Sequence, residues 1–280
     1  MGNREGRPSI PSTKYDEAYF LTACEGYHEY LETEGAHLSR RLAQAFEVAD
    51  VEPGMRILDV GCGRGEILLR CAQLGARAYG IDYATTAVRL SRVLTDGHRP
   101  AAATMTDGSK TASGERIGVY QADAKRLPFA SGQFDRVLMF DVVEHLHPWE
   151  LHQALVEVHR VLMPQGRVIL HTAPNRWYDQ FAYPIVRTAR RLMGQGSRYP
   201  RDPRALNVSI NTEVHVNEQD IVSLRRTLKQ AGFTSRVWLD TPPQHREESL
   251  LFHMIRHVLF NWPPFRWFFE REVFAVASKL

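Results

Sequence analysis

From Arg56 onward, short apolar runs of strand length alternate with stretches whose apolar residues recur every three or four positions. The short runs at Arg56–Val60, Ala76–Ile81, Ile117–Gln121, Asp135–Phe140, Arg167–Thr172, Phe233–Leu239 and Glu272–Ser278 predict seven strands. The second rhythm predicts helices over Arg64–Leu74, Ala84–Leu94 and Glu218–Ala231, and another opening at Pro148 and running through Leu151, Leu155, Val158 and Leu162. Proline suits a first helical position, Asn217 suits the N-cap of the late helix, and Gly75 and Gly232 suit helix ends. Ahead of this, Tyr15–Ala49 predicts two helices broken near Gly35. The first is rich in aromatic residues (Tyr15, Tyr19, Phe20, Tyr27, Tyr30), and the second carries Leu38, Leu42 and Phe46 on one face. Repeated strand–helix units predict an α/β fold, a mostly parallel seven-stranded sheet with helices on both faces. No internal repeat is visible.

Three stretches break the rhythm. Residues 95–116 are small and polar and are expected to form a mobile surface insertion. Residues 174–215 mix Pro, Arg and aromatic residues without clean periodicity, and residues 241–269 hold LLFHMIRHVLF and NWPPFRWFF. The aromatic stripe of 241–269 reads first as core packing. Its Leu, Phe and Trp among Arg and His also suit a lipid-like substrate or an interfacial helix. With residues 1–13 read as a disordered tail, the expected organisation is a tail and helical cap over 1–50. One domain then follows over 51–280, with insertions at 95–116, 174–215 and 241–269 that build a lid.

The candidate chemistry gathers at the predicted strand ends, where ligands of such sheets bind near the switch in strand order. After the first strand the chain reads Asp59-Val-Gly61-Cys62-Gly63-Arg-Gly65, then restarts with helical spacing. Glycines there let main-chain N–H groups approach a ligand, with the helix N-terminus behind them. An acid two residues before the first glycine repels a pyrophosphate but suits a ligand with an ammonium group, which disfavours a dinucleotide. Asp82, followed by Tyr83, closes the second strand, as a ribose-hydroxyl acceptor or as a helix cap. Asp123 follows the third strand, Asp141 ends the fourth, and Thr172 ends the fifth.

This order resembles the class I S-adenosylmethionine (SAM)-dependent methyltransferases. DVGCGRG is similar to their first motif, and ADAKRLPFASGQFDRVLMFDVVEHLHP is similar to motifs II to IV. RVLMPQGRVIL resembles the next stretch, with Gln165-Gly166 where the family usually has two glycines. The resemblance spans Arg56–Thr172 and implies a Rossmann-like sheet with helical lid insertions and SAM as cofactor. It implies that Gly61 and Gly63, with Cys62 and Gly65 in the same loop, contact the aminocarboxypropyl arm, with Asp59 near its ammonium. It further implies Asp82 and Tyr83 at the ribose, Asp123 and Ala124 at the adenine, and Asp141 near the reacting end.

A sulfonium methyl is already activated, so alignment does most of the work, and a hydroxyl acceptor additionally needs a base. His145 is the first candidate for that base, against a reading as pocket wall, and His215 is the second. His171 reads as packed. His145/His147 and His253/His257 have ligand spacing, but there is no H-E-x-x-H and no Asp-Asn after the fifth strand, so no metal is expected.

Charge narrows the partners. Thirty-five Lys and Arg nearly balance thirty-two Asp and Glu, a net charge of +3. The base-stacking N/D-P-P-Y/F motif is absent after the fourth strand, so nucleic acid is not expected. Cys24, Cys62 and Cys71 are odd in number with no C-x-x-C, consistent with reduced thiols in the cytoplasm. There is no apolar N-terminal leader and no apolar run of spanning length, so stable membrane insertion is not expected. The sequence therefore predicts a cytoplasmic methyltransferase of a small molecule in biosynthesis, with O-methylation favoured. Aminoalkyl transfer, cyclisation and an inactive SAM-binding scaffold are the alternatives, and the acceptor and oligomeric state stay open.

Overall fold

The computed structural model describes residues 8–97, 116–206, 208–240 and 262–280, with Met254, His257 and Val258. Its strands are β1 (Arg56–Val60), β2 (Arg77–Asp82), β3 (Ile117–Gln121), β4 (Phe134–Phe140), β5 (Leu162–Thr172), β6 (Phe233–Asp240) and β7 (Glu272–Lys279). They form one sheet in the order β3-β2-β1-β4-β5-β7-β6, parallel from β3 to β5, with β7 antiparallel to both its neighbours. The described helices are α1 (Glu17–Thr22), α2 (Tyr27–Thr33), α3 (Arg40–Glu47), α4 (Glu66–Gln73), α5 (Thr85–Gly97), α6 (Pro148–Val161), α7 (Tyr183–Leu192), α8 (Asn211–Val214), α9 (Ile221–Gln230) and α10 (Phe265–Phe269).

Helices cover both faces of the central strands, which is why those strands are nearly unbroken apolar runs. Strand parity divides the core. Val137 and Met139 of β4 pack with Leu151, Leu155 and Val158 of α6 and Leu224 and Leu228 of α9. Leu138 and Phe140 pack on the other side with Phe46 of α3, Ile67 and Leu68 of α4 and Val88 of α5. Each such side chain, once out of water, contributes about 1.5–3 kcal/mol. The strand order turns back between β1 and β4, and the cleft described below opens there.

Several sequence expectations are corrected. The N-terminal region makes three helices rather than two, because the chain also breaks at Ala23–Gly26, where Gly26 takes a left-handed φ of 74°. Residues 8–13, expected to be disordered, are mostly exposed but tied to the domain by hydrogen bonds. The Ile10 carbonyl accepts from the Tyr83 hydroxyl at 2.6 Å, and Ser9 bonds to Glu150. The late helix starts at Ile221 and is capped by Asp220 rather than Asn217, since the Asp220 carboxylate accepts from the amides of Val222 and Ser223 at 2.9 and 2.8 Å. The helix after β2 continues to Gly97, into the expected insertion, while residues 98–115 lie outside the described residues. The 174–215 stretch, expected to lack periodicity, holds the ten-residue α7. Of 241–269, only α10 and a few neighbouring residues are described.

The cap of α1 to α3 is held to the glycine loop by Arg64, a buried residue that the sequence reading passed over. Its guanidinium donates to the carbonyls of Phe20 and Glu25, each at 2.6 Å, and pairs with Glu66 at 2.6 Å. It also lies over the Tyr30 ring, 5.0 Å from its centroid. Removing one partner of a buried, fully bonded ion pair costs about 3–5 kcal/mol. Arg64→Met is therefore expected to lower unfolding stability in urea by about 3 kcal/mol or more. A loss below about 1 kcal/mol would show that the cap does not depend on this residue.

Candidate active site

A cleft of about 1130 Å3, its open mouth included, lies over the ends of β1, β2 and β4. Nine of the ten residues expected to bind the cofactor line it: Asp59, Gly61, Cys62, Gly63, Asp82, Tyr83, Asp123, Ala124 and Asp141. The exception is Gly65. Gly65 starts α4 with φ of 95°, and a Cβ there would lie 2.4 Å from Ser91 Oγ, so this glycine serves helix packing. Gly63 is different. A Cβ on it would meet only the edge of Phe20, at 3.8 Å, so the loop turns bare backbone toward the cleft.

Asp59 and Asp82 set the electrostatics. Burial pushes the Asp59 carboxyl up to about 8, with the charges of Asp82 and Glu66 adding to the rise. Asp82 is raised by burial to about 6, held back by the amides it accepts from. Those amides include Ala84 N at 2.9 Å and Gly63 N at 3.2 Å, so Asp82 both braces the turn that enters α5 and ties the glycine loop to β2. Each carboxylate retains lone pairs for a ligand. A cation or hydroxyl-bearing ligand relieves their desolvation, and an anionic one aggravates it. Asp123 is half-exposed, accepts from the Lys125 amide at 2.9 Å and pairs with the Lys125 ammonium at 3.0 Å.

Across the cleft, Asp141 is engaged on both sides. Arg41 of α3 pairs with it at 3.0 Å and with Glu25 at 3.2 Å. His171 Nδ1 lies 2.9 Å from Asp141 Oδ1, and His171 Nε2 lies 3.0 Å from Glu272. Burial works against the charge of both residues, but Arg41 and His171 hold Asp141 below the usual carboxylate range, and Asp141 and Glu272 lift His171 to about 9. His171 is packed, as the sequence reading has it, and it is packed as part of an ion-pair chain.

His145 lines the cleft, and its Nδ1 is 3.0 Å from the Tyr15 hydroxyl. His215 does not line the cleft but sits behind His145, ring centroids 4.9 Å apart. It is drawn there because the amides of Val216 and Asn217 both bond to the Glu144 carbonyl, at 2.8 and 3.1 Å. Burial lowers His145 to about 4 and His215 to about 3, the latter also depressed by His145. Both rings are neutral at neutral pH. Glu144, His145 and His215 offer donor atoms within 4.8 Å of one another, but the Glu144 carboxylate already accepts from Thr172 at 2.7 Å and His145 is bonded to Tyr15.

Sequence reasoning missed Tyr15, Arg41 and Arg64. Tyr15 was legible only as one of several aromatic residues in the first helical segment. The two arginines gave no periodic signal, and apart from Glu66 beside Arg64 their partners are distant in sequence.

The chain is similar to known methyltransferases. Residues 58–170 match the family described as methyltransferase domain. The Ubiquinone biosynthesis O-methyltransferase of Azorhizobium caulinodans is 33% identical over 133 residues, 48% of this chain and 46% of that protein. Methyltransferase GfsG of Streptomyces halstedii is 30% identical over 132 residues, 47% of this chain and 42% of its own length. The chain spans about half the length of the curated relatives it matches. The fold is shared with geranyl diphosphate C-methyltransferase of Streptomyces coelicolor, solved with S-adenosyl-L-homocysteine, at a TM-score of 0.54 and 15% identity over 92% of this chain and 84% of that one. Residues 58–170 thus match a methyltransferase domain, on a fold of the class I SAM-dependent methyltransferase type.

The Asp59 environment gives a pH signature. Its folded value of about 8 lies above the usual unfolded value of about 3.9, so between those two the folded protein binds more protons. Stability without ligand therefore falls as pH rises through this window. Asp59→Asn removes the burden, and the gap in Tm between variant and wild type should widen from pH 5 to pH 8. A gap that stays constant across this range would contradict the assignment.

Proposed function

We propose that the protein transfers a methyl group from SAM to a hydroxyl of a small molecule. The observation that carries the cofactor reading is the pair of buried carboxylates, Asp59 and Asp82, beside the exposed backbone of Gly63. In this reading Asp59 neutralises the ammonium of the amino-acid end, and Asp82 accepts from the ribose hydroxyls. Asp123 and the Ala124 amide recognise the adenine. When bound, SAM supplies a methyl group already activated by its sulfonium.

The chain's own contribution to the transfer is alignment and removal of one proton. The acceptor proton would pass to the Tyr15 oxygen as the Tyr15 proton moves to His145 Nδ1, 3.0 Å away. Burial raises the Tyr15 phenol far above its ordinary value, so it stays protonated and able to relay. His145, neutral at physiological pH, is open to receive. With His145 near 4, drawing a proton from a phenol-like hydroxyl near 10 costs about 8 kcal/mol, at about 1.4 kcal/mol per unit. An alkyl alcohol as weakly acidic as water, near 15.7, costs about 16 kcal/mol. The site therefore favours an acidic hydroxyl such as a phenol or enol. O-Methylation is also what the names of several curated relatives state of those proteins.

Incubating the protein with SAM and a panel of phenols should release S-adenosylhomocysteine. His145→Ala should lower that rate by roughly 10²–10⁴ with little change in SAM affinity. Release of methylthioadenosine instead would point to aminoalkyl chemistry. A His145→Ala rate within a few-fold of wild type would reduce His145 to a wall residue.

A further inference from the structure

Among the described residues three tyrosines line the cleft, and two of them are already bonded. The Tyr15 hydroxyl meets His145 Nδ1 at 3.0 Å, and the Tyr83 hydroxyl donates to the Ile10 carbonyl at 2.6 Å. Tyr19 differs. No group among the described residues hydrogen-bonds to its hydroxyl, although the residue is only 9% exposed. A hydroxyl drawn out of water without a partner is costly, and beside a cleft the missing partner is a ligand group.

Local structure puts Tyr19 beside the reacting end. Asp16 caps α1, its carboxylate accepting from the Tyr19 amide at 2.8 Å, so Tyr15 stands just before the helix and Tyr19 in its first turn. The two rings meet edge-on, centroids 5.1 Å apart, and the Tyr19 ring lies 6.5 Å from His145 and 5.2 Å from Phe20. Burial raises the Tyr19 phenol well above its ordinary value, and Cys24, Tyr15, Glu144 and Asp141 add to the rise. It stays protonated and faces a ligand as a donor. The cationic residues that line the cleft, Arg64 and Lys125, are engaged with Glu66 and with Asp123 and Glu150. An anionic group on the acceptor would therefore meet Asp141 with neither cation free to offset it.

We propose that Tyr19 is a specificity-determining residue whose hydroxyl donates to a second, uncharged oxygen of the acceptor. The assignment rests on reading the cleft as a site of methyl transfer to a hydroxyl. With the reacting hydroxyl at Tyr15, an ether, carbonyl or further hydroxyl oxygen of the same molecule accepts from Tyr19. An acceptor with the reacting hydroxyl alone strips water from Tyr19 and leaves it unpaired. A site built around a donor rejects the analogue that lacks its partner far more strongly than an apolar pocket rejects one extra methylene. Holding the acceptor at two points also orients the reacting oxygen for transfer.

The test uses methoxyphenol and ethylphenol as ortho, meta and para pairs, which match in size and differ by one oxygen. Calorimetry on the full chain loaded with S-adenosylhomocysteine measures binding, and turnover of the same compounds with SAM measures transfer. In at least one pair the wild type should bind the methoxy member at least about fivefold more tightly. Tyr19→Phe should narrow that preference to less than about twofold, with SAM affinity within about twofold of wild type. Its melting temperature should match or exceed that of wild type, because the hydroxyl has no bond to lose. Wild type without a preference in any pair, or a Tyr19→Phe variant that keeps the wild-type preference, would overturn the proposal. So would a loss of SAM affinity, which would assign the hydroxyl to the cofactor, or a melt well below wild type, which would make it a prop of the cap. A binding preference without any release of S-adenosylhomocysteine would support the Tyr19 assignment and count against the transfer reading. Equal binding and turnover of both members of every pair would do the reverse.

Discussion

Two carboxylates held out of water at neighbouring strand ends, Asp59 on β1 and Asp82 on β2, are the constraint on which the site depends. An unpaired buried carboxylate is costly, and a fold keeps one only where something offsets the cost. For Asp82 part of the offset is structural, because it accepts the amides of Gly63 and Ala84 and so fixes the glycine loop. Asp59 has acids for neighbours, and its carboxyl is pushed up to about 8. The pair forms a site poised for a ligand that brings positive charge and hydroxyl groups together.

The opposite wall is built on a different economy of charge. Glu25, Arg41, Asp141, His171 and Glu272 form a chain of ion pairs running from the cap to the far side of the sheet. Such a chain adds little net stability but strongly penalises any arrangement that separates its members. It therefore sets where α3 lies relative to β4 and β5. With Arg64 holding the start of the cap, the position of Tyr15 over the cleft follows from charges on both sides. The cap brings Tyr15 to His145, and the pair of hydrogen bonds to the Glu144 carbonyl brings His215 behind it.

The parts legible in the sequence are those governed by local rules. β1 and β3 fall where their apolar runs fall, and the strand-end acids and the glycine loop follow from the same pattern. Asn217 and Asp220 are both good caps, and Asp220 takes the role through its reciprocal bonds with Ser223 while residues 216–217 turn toward the Glu144 carbonyl. The role of Arg41 depends on acids far along the chain, and that of Arg64 on the distant carbonyls of Phe20 and Glu25 as well as on nearby Glu66, which leaves no periodic trace. α7 was hidden for another reason. Its regular apolar spacing faces solvent among arginines, so the pattern does not point to a core.

The central claim is that the cleft at the ends of β1 and β2 holds SAM by Asp82. Calorimetric titration of wild type and Asp82→Ala with SAM and S-adenosylhomocysteine tests it most directly. A charge-assisted hydrogen bond contributes about 1.5–3 kcal/mol, and a factor of ten in affinity is about 1.4 kcal/mol. Both ligands share the ribose, so the variant, shown by melting to be folded, should bind each at least about tenfold more weakly. A folded Asp82→Ala variant that binds SAM as tightly as wild type, or a wild type that binds NAD in place of SAM, would contradict the account.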